Sequence, residues 1–306
     1  MKMATREILE ANKLLACRAI EEIWNQQKLG AVEEIYAPDY TYHGPTGDYD
    51  HNGRKQFITT YLRAFPDIHF TIDDTIAERD KVAIRWTATA THRGEIMGIS
   101  PTGAYGTTTG ITVVRIASGK IAEERVDWDV LAMLQNMGAI PSDREGYTWG
   151  EPTKVTGATG TPEENKAIVM RYNGIWNRRE SLDALGDVMS EEVINHDPVL
   201  YPGTDFERHR KVILMYLNAF PDLHAPIDEL IAEGDKVVGY GVATGTQRGE
   251  LMGVPPTGRK VSWTYTAIFR IADGRIVETW WSYDVLGLMR QLGVLPSSAG
   301  SPSSQV

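Results

Sequence analysis

Hydrophobic positions along this chain change period in a fixed order, helical first and extended afterwards, and the whole order occurs twice. At Thr161 a helix start is fully signalled: Thr161 can cap, Pro162 suits the first helical position, and Glu164 stands where a capping box wants it. Ile168, Tyr172, Ile175 and Trp176 then fall on one face at helical spacing. A second helical stretch is predicted over 182–189 (29–35 in the first half), followed by short extended pieces at 193–196 and 40–43. A third helix runs into Ala-Phe-Pro-Asp, where Pro66 and Pro221 stop it. Val82-Ala83-Ile84-Arg85-Trp86-Thr87-Ala88 alternates as a half-buried strand should. Pro101-Thr102-Gly103 and Pro256-Thr257-Gly258 read as turns, and Ser118-Gly119 and Asp273-Gly274 as hairpin corners between long strands. A last short helix follows Asp129 or Asp284 and stops at Gly138 or Gly293. Helices followed by a run of antiparallel strands predict an α+β fold: a curved antiparallel sheet, helices packed on one face, and a pocket between them.

The repetition is explicit in the residues. Ala64-Phe65-Pro66-Asp67 returns 155 residues later as Ala219-Phe220-Pro221-Asp222, and Asp129-Val130-Leu131 returns at the same offset as Asp284-Val285-Leu286. Between them, Arg93-Gly94-Glu95-Ile96-Met97-Gly98 is matched by Arg248-Gly249-Glu250-Leu251-Met252-Gly253. Upstream the offset is 152 or 153, as for Trp24 against Trp176 and His43 against His196. This period is too long for a solenoid and marks a duplicated domain. The expected organisation is domain one at 5–141, a Gly/Thr/Pro-rich linker at 142–160, domain two at 161–296, and a Ser-rich disordered tail at 297–306. A duplicated domain also suggests an intramolecular pseudo-dimer.

Composition narrows the function. The 306 residues carry a formal charge of −10, which repels nucleic acid and anionic lipid. Cys17 is alone, so no disulfide forms within the chain and a reducing, cytoplasmic setting is expected. No signal peptide or membrane span is read in the sequence. Seven scattered histidines give no zinc spacing, and phosphate-loop, dinucleotide and Gly-x-Ser-x-Gly motifs are absent, so no metal, nucleotide or other cofactor is expected.

The string Ala219-Phe220-Pro221-Asp222-Leu223-His224 resembles the SnoaL-like polyketide cyclases, also called ester cyclases, of the NTF2-like superfamily. So do 231–237, 249–258, 273–278 and Tyr283-Asp284-Val285-Leu286-Gly287-Leu288. The resemblance spans nearly all of both copies. It implies two tandem cone-shaped domains acting without cofactor on a carbonyl-rich small molecule, hydrophobic or aromatic, by intramolecular aldol condensation or a related lyase or isomerase step. It also implies an acid/base aspartate just before the final helix, which is Asp129 in copy one and Asp284 in copy two. The fold equally hosts proteins that only bind a small hydrophobic ligand, so a non-catalytic role for one or both copies is the alternative.

Each candidate residue has a plainer role available. Asp129 and Asp284 stand where an N-cap is wanted. His43 and His196 are candidates for polarising a substrate carbonyl, or for fixing a turn. His69 and His224 follow the Pro-Asp turn and are read as strand starts. Trp24 and Trp176 are pocket walls or core, and Met97 and Met252 pocket lining or filler. Trp86 aligns with Gly241, Arg85 with Tyr240 and His92 with Gln247. If Trp86, Tyr240 and His92 line the pockets, the two pockets differ in size and polarity.

Overall fold

Thr161 opens its helix as its sequence requires: its hydroxyl accepts from the Glu164 amide at 3.3 Å, and the Glu164 carboxylate accepts from the Thr161 amide at 2.8 Å. This reciprocal cap is seen in a computed structural model that describes residues 2–140, 149, 157–197, 203–204 and 206–295. The chain divides into two compact units between Thr148 and Trp149. That division falls inside 142–160, most of which lies outside the described residues, as does the tail 297–306.

In copy one, α1 (Lys2–Arg18) continues into a π-helical turn, Ala19–Asn25, and α2 (Ala31–Ile35) follows. Next come β1 (Tyr36–Gly44), β2 (Gly47–Asp50), α3 (His51–Ala64), β3 (His69–Glu78), β4 (Lys81–Thr91), β5 (Tyr105–Ala117), β6 (Lys120–Trp128) and α4 (Val130–Asn136). Copy two repeats the order with α5 (Pro162–Trp176), α6 (Leu185–Val188), β7 (Met189–His196), β8 (Gly203–Thr204) and α7 (Phe206–Ala219). It closes with β9 (Glu229–Glu233), β10 (Lys236–Thr246), β11 (Lys260–Ala272), β12 (Arg275–Tyr283) and α8 (Val285–Leu292). Each copy thus forms its own six-stranded open sheet, in the order β2-β1-β6-β5-β4-β3 and its equivalent β8-β7-β12-β11-β10-β9.

One feature departs from the expected antiparallel sheet. β1 lies parallel to β6, and β7 parallel to β12. The reason is topological: α3 carries the chain across the sheet after β2, so β3 enters at the far edge. The meander β3 to β6 then works back until β6 lies beside β1. The hairpin corners behave as their residues demand. Ser118 and Gly119 have φ of 50° and 74°, and Asp273 and Gly274 have 49° and 72°, the left-handed pair of a tight hairpin turn. Among the described residues no helix is long and apolar enough to cross a membrane.

The repeated strings turn out to meet each other. The amides of Arg93 and Gly94 donate to the Ala64 carbonyl at the end of α3, and those of Arg248 and Gly249 to Ala219. Gly94 leaves no room for a side chain, since a Cβ would stand 2.5 Å from the Arg63 oxygen. Asp67 accepts from the Thr91 amide and hydroxyl at 2.8 and 2.6 Å, as Asp222 does from Thr246 at 2.7 Å each. The motifs therefore satisfy the orphan carbonyls of a helix end and lock it to β4 or β10. They hold one side of each pocket in place.

Candidate functional site

A charged residue on an apolar stripe marks the first pocket. On α3, Arg54, Ile58 and Tyr61 share the buried face at helical spacing. On β6, Ala122, Glu124, Val126 and Trp128 share the buried face at a period of two. Arg54 and Glu124 meet there, Arg54 Nη2 donating to Glu124 Oε1 at 3.0 Å, and the Tyr40 hydroxyl donates to the other carboxylate oxygen. Both members of the pair are buried. The guanidinium lies 4.2 Å from the Tyr42 ring centre and 5.0 Å from that of Phe57, a cation–π arrangement. Its Nε–H is buried without a partner, as is the Tyr61 hydroxyl. The Glu124 charge holds Arg54 well above its ordinary pKa despite burial, and burial pushes the phenols of Tyr40 and Tyr61 well above theirs.

Around this pair lies a pocket walled by Trp24, Phe57, Phe70, Trp86 and Trp128, among others. Arg54 and Glu124 are the only charged side chains among its described lining residues. Ile20 and Trp24 reach it from the π-helical turn, a local widening often found at functional sites. Copy two has a pocket in the equivalent place, with Trp176, Tyr216, Trp263, Phe269 and Trp281 in its wall. Its polar groups differ: His209 stands at the position of Arg54, Asp197 joins the lining, and Thr279, at the position of Glu124, is not among the lining residues.

A model of the SnoaL-like polyketide cyclase family matches residues 14–137 and again residues 166–292. The chain belongs to that family. Solved structures similar to a single copy of this SnoaL-like protein include TsrD from Streptomyces laurentii. It is 30% identical, the match covering 44% of this chain and 97% of that one, with a TM-score of 0.40. AclR from Streptomyces galilaeus, described as a candidate hydroxylase, is 28% identical over 45% of this chain and 87% of its own, with a TM-score of 0.42. IdmH from Streptomyces antibioticus, described as a candidate polyketide cyclase, is 28% identical over 42% and 98%, with a TM-score of 0.38. No curated protein matches the chain.

The SnoaL-like fold places the residues singled out from sequence in several different settings. Trp24, Trp86 and Trp176 line the pockets. Asp129 and Asp284 do not. Each caps the final helix of its copy, accepting from the Ala132 amide at 2.8 Å and from the Gly287 amide at 2.7 Å. Burial pushes the Asp284 carboxyl up, against the opposing pull of the Gly287 amide and the Arg290 charge. His43 Nδ1 lies 3.0 Å from Asp48 Oδ1 across the β1–β2 hairpin, outside the pocket lining. His196 is buried, stacked on Trp280 and 2.7 Å from Glu278, on the sheet face opposite Thr279 and Trp281.

Four expected pocket residues sit elsewhere. His92 is fully buried but serves the turn at Thr102, whose amide donates to its Nδ1 at 3.3 Å; Gln247 pins Thr257 in the same way. Tyr240 donates its hydroxyl to Glu229 at 2.7 Å. Met97 and Met252 occupy left-handed turn positions, with φ of 53° and 50°, and line neither pocket. Arg54, Glu124, Tyr40, His209 and Asp197 were not among the sequence candidates. The signal for Arg54 and Glu124 was present: a charge at an inward position of an otherwise apolar helix or strand. Among the described residues no three His, Cys, Asp or Glu side chains converge as a metal site would need.

Proposed function

We propose that copy one is a catalytic half, performing cofactor-free acid/base chemistry on an aromatic, carbonyl-bearing small molecule, with intramolecular aldol ring closure as the reaction. The observation that carries this is the buried Arg54–Glu124 pair lining an otherwise aromatic pocket. Glu124 removes a proton from a carbon beside a carbonyl, and the negative charge passes from the carboxylate to the enolate oxygen. The site's total charge is unchanged, and Arg54, released from half its pairing, is the preorganised cation for that oxygen. The enolate carbon then bonds to a second carbonyl carbon of the same molecule. The resulting alkoxide recovers the proton from Glu124. Low polarity around the pair strengthens the attraction between Arg54 and the developing enolate charge relative to water.

The test is exchange of the acidic protons of an aryl β-keto ester for deuterium, followed by NMR. Glu124→Gln removes the catalysed exchange, and Asp129→Asn, which keeps the cap, retains it. The reverse outcome moves the base to Asp129, where the family resemblance puts it. Exchange no faster than in buffer alone supports the second reading, a binding protein, which the helix-capping geometry of Asp129 and Asp284 favours. The pairing of the two copies as a pseudo-dimer belongs to the same proposal. Small-angle scattering from the full chain that required two separated bodies would overturn it.

A further inference from the structure

Four polar side chains of copy one are replaced together in copy two. Strand pairing fixes the correspondence: Tyr36 and Tyr42 lie beside Ile121 and Glu124 of β6, as Met189 and Asn195 lie beside Ile276 and Thr279 of β12. Tyr36 thus becomes Met189 and Tyr40 becomes Val193, while Arg54 becomes His209 and Glu124 becomes Thr279. Met189 and Val193 are fully buried, so the space stays apolar and filled while the hydroxyls are lost. Tyr40 is 1% exposed and is not among the residues that line the pocket. Its hydroxyl donates to Glu124 Oε2, and its ring packs on that of Tyr36 with 4.5 Å between centres. Glu124 does line the pocket, and its Oε1 accepts from Arg54.

We propose that Tyr40 is a positioning residue for the chemistry of copy one: from outside the cavity lining, its hydroxyl holds one oxygen of Glu124 and keeps the carboxylate charged and directed into the pocket. This inference rests on the reading of Glu124 as the base.

The step assigned to copy one calls for such an anchor. Arg54 gives up part of its pairing to the enolate oxygen, and a carboxylate held by Arg54 alone would then swing on its two methylenes and lose its aim. A donor that stays in place prevents this. Tyr40 can stay, because it reaches no substrate and its ring is fixed in the core. A residue that only filled space would not need the hydroxyl, and copy two, which lacks the carboxylate, has Val193 there. The titratable side chains that act on Glu124 are Arg54 from α3 and Tyr36, Tyr40 and Tyr42 from β1; Val114, its cross-strand neighbour on β5, is apolar. Burial pushes the three phenols up, and against burial the Glu124 charge holds the guanidinium up. None of the four therefore changes charge between about pH 4 and pH 8.

The experiment follows deuterium exchange of ethyl benzoylacetate by the full chain across that pH range, corrected for exchange in buffer. A hydrogen bond to a carboxylate favours its charged form, so its removal in Tyr40→Phe is expected to move the acid limb of kcat to higher pH. Exchange at the foot of the limb should fall about ten-fold relative to the plateau, the order of one charge-assisted hydrogen bond. KM should stay within about two-fold, because Tyr40 stands outside the cavity lining. Tyr40→3-fluorotyrosine keeps the hydroxyl and makes it a stronger donor, so its limb should move to lower pH; this variant carries the test if Tyr40→Phe does not fold. A limb that stays in place in either folded variant, or a Tyr40→Phe effect confined to KM, would overturn the inference alone, provided that Glu124→Gln abolishes exchange. Exchange that survives Glu124→Gln would instead overturn the reading of Glu124 as the base, and this inference with it.

Discussion

The indole of Trp86 lies over Gly110, its cross-strand neighbour: a Cβ on Gly110 would stand 2.3 Å from Trp86 Cζ2. Copy two reverses the arrangement. There Gly241 occupies the Trp86 position and Tyr265 the Gly110 position, again as cross-strand neighbours. Tyr265 reaches across to donate to the Pro226 carbonyl at 2.7 Å. The volume lost at one strand position is returned at the next. The Trp86/Gly241 difference therefore moves a wall rather than simply emptying one pocket.

This relationship predicts that Gly110→Ala destabilises copy one by about 1–3 kcal/mol, the range for overpacking. The cost should fall, without vanishing, when Trp86 is first changed to Leu, since the obstructing ring is then gone while Trp128 Cβ still stands 2.8 Å from the new methyl. In copy two the obstacle is backbone, a Cβ on Gly241 standing 2.1 Å from the Pro226 oxygen, so no side-chain change relieves Gly241→Ala. Urea denaturation of the four variants would check this, and additive costs at 86 and 110 would contradict it.

The Arg54–Glu124 pair predicts an asymmetric mutational response. Glu124→Ala leaves a fully buried guanidinium without its counter-ion and is expected to cost about 3–5 kcal/mol. Replacing both at once, Arg54→Met with Glu124→Leu, should recover most of that stability while removing any chemistry that needs the charges. A double variant less stable than Glu124→Ala alone would show that the pair stabilises the fold rather than merely being tolerated by it.

The caps give a smaller, separable effect. Asp284→Ala should lose roughly 1 kcal/mol because the Gly287 amide loses its acceptor, whereas Asp284→Asn should stay within a few tenths. Thermal unfolding distinguishes the two. An equal loss in both variants would mean that the carboxylate charge, and not its hydrogen bond to the helix, stabilises the native state.

What was legible in the sequence was what the two copies share. Ala-Phe-Pro-Asp and Arg-Gly-Glu stood out because they repeat, and they repeat because both helix ends need the same clasp. The helix order, hairpin corners and pocket position followed from period and turn chemistry. Two things did not follow. The parallel β1–β6 pair depends on where α3 delivers the chain, which no local pattern records. The residues at the Arg54 and Glu124 positions, His209 and Thr279 in copy two, differ between copies, so the repeat does not mark them. The aspartates were legible as caps and as bases alike, because a residue before a helix carries both signatures until its hydrogen bonds are seen.

The last prediction is a pH dependence of stability from His209. Its ordinary pKa of 6.5 falls to about 4 in the folded protein because burial penalises the imidazolium. As pH drops below the ordinary value, the unfolded chain takes up the proton while the folded chain does not until about pH 4. Over that window the unfolded state binds more protons, so stability rises with pH and is lost on acidification. The contribution of the site is complete above pH 6.5 and is used up near pH 4, a total of about 3 kcal/mol. Asp284 acts in the opposite sense, its raised folded pKa favouring the native state as pH falls, while the lowered carboxyls of Asp67, Glu123 and Asp222 add to the loss in acid, so the His209 contribution is read from the difference between variant and wild type. His209→Gln removes the titrating group while keeping a polar side chain. Its stability, measured by urea denaturation from pH 8 to pH 4, should lie below wild type at neutral pH and converge on it in acid. Parallel curves across the whole range would mean that His209 takes up its proton equally in the folded and unfolded chain, and that the second pocket is wetter than its burial indicates.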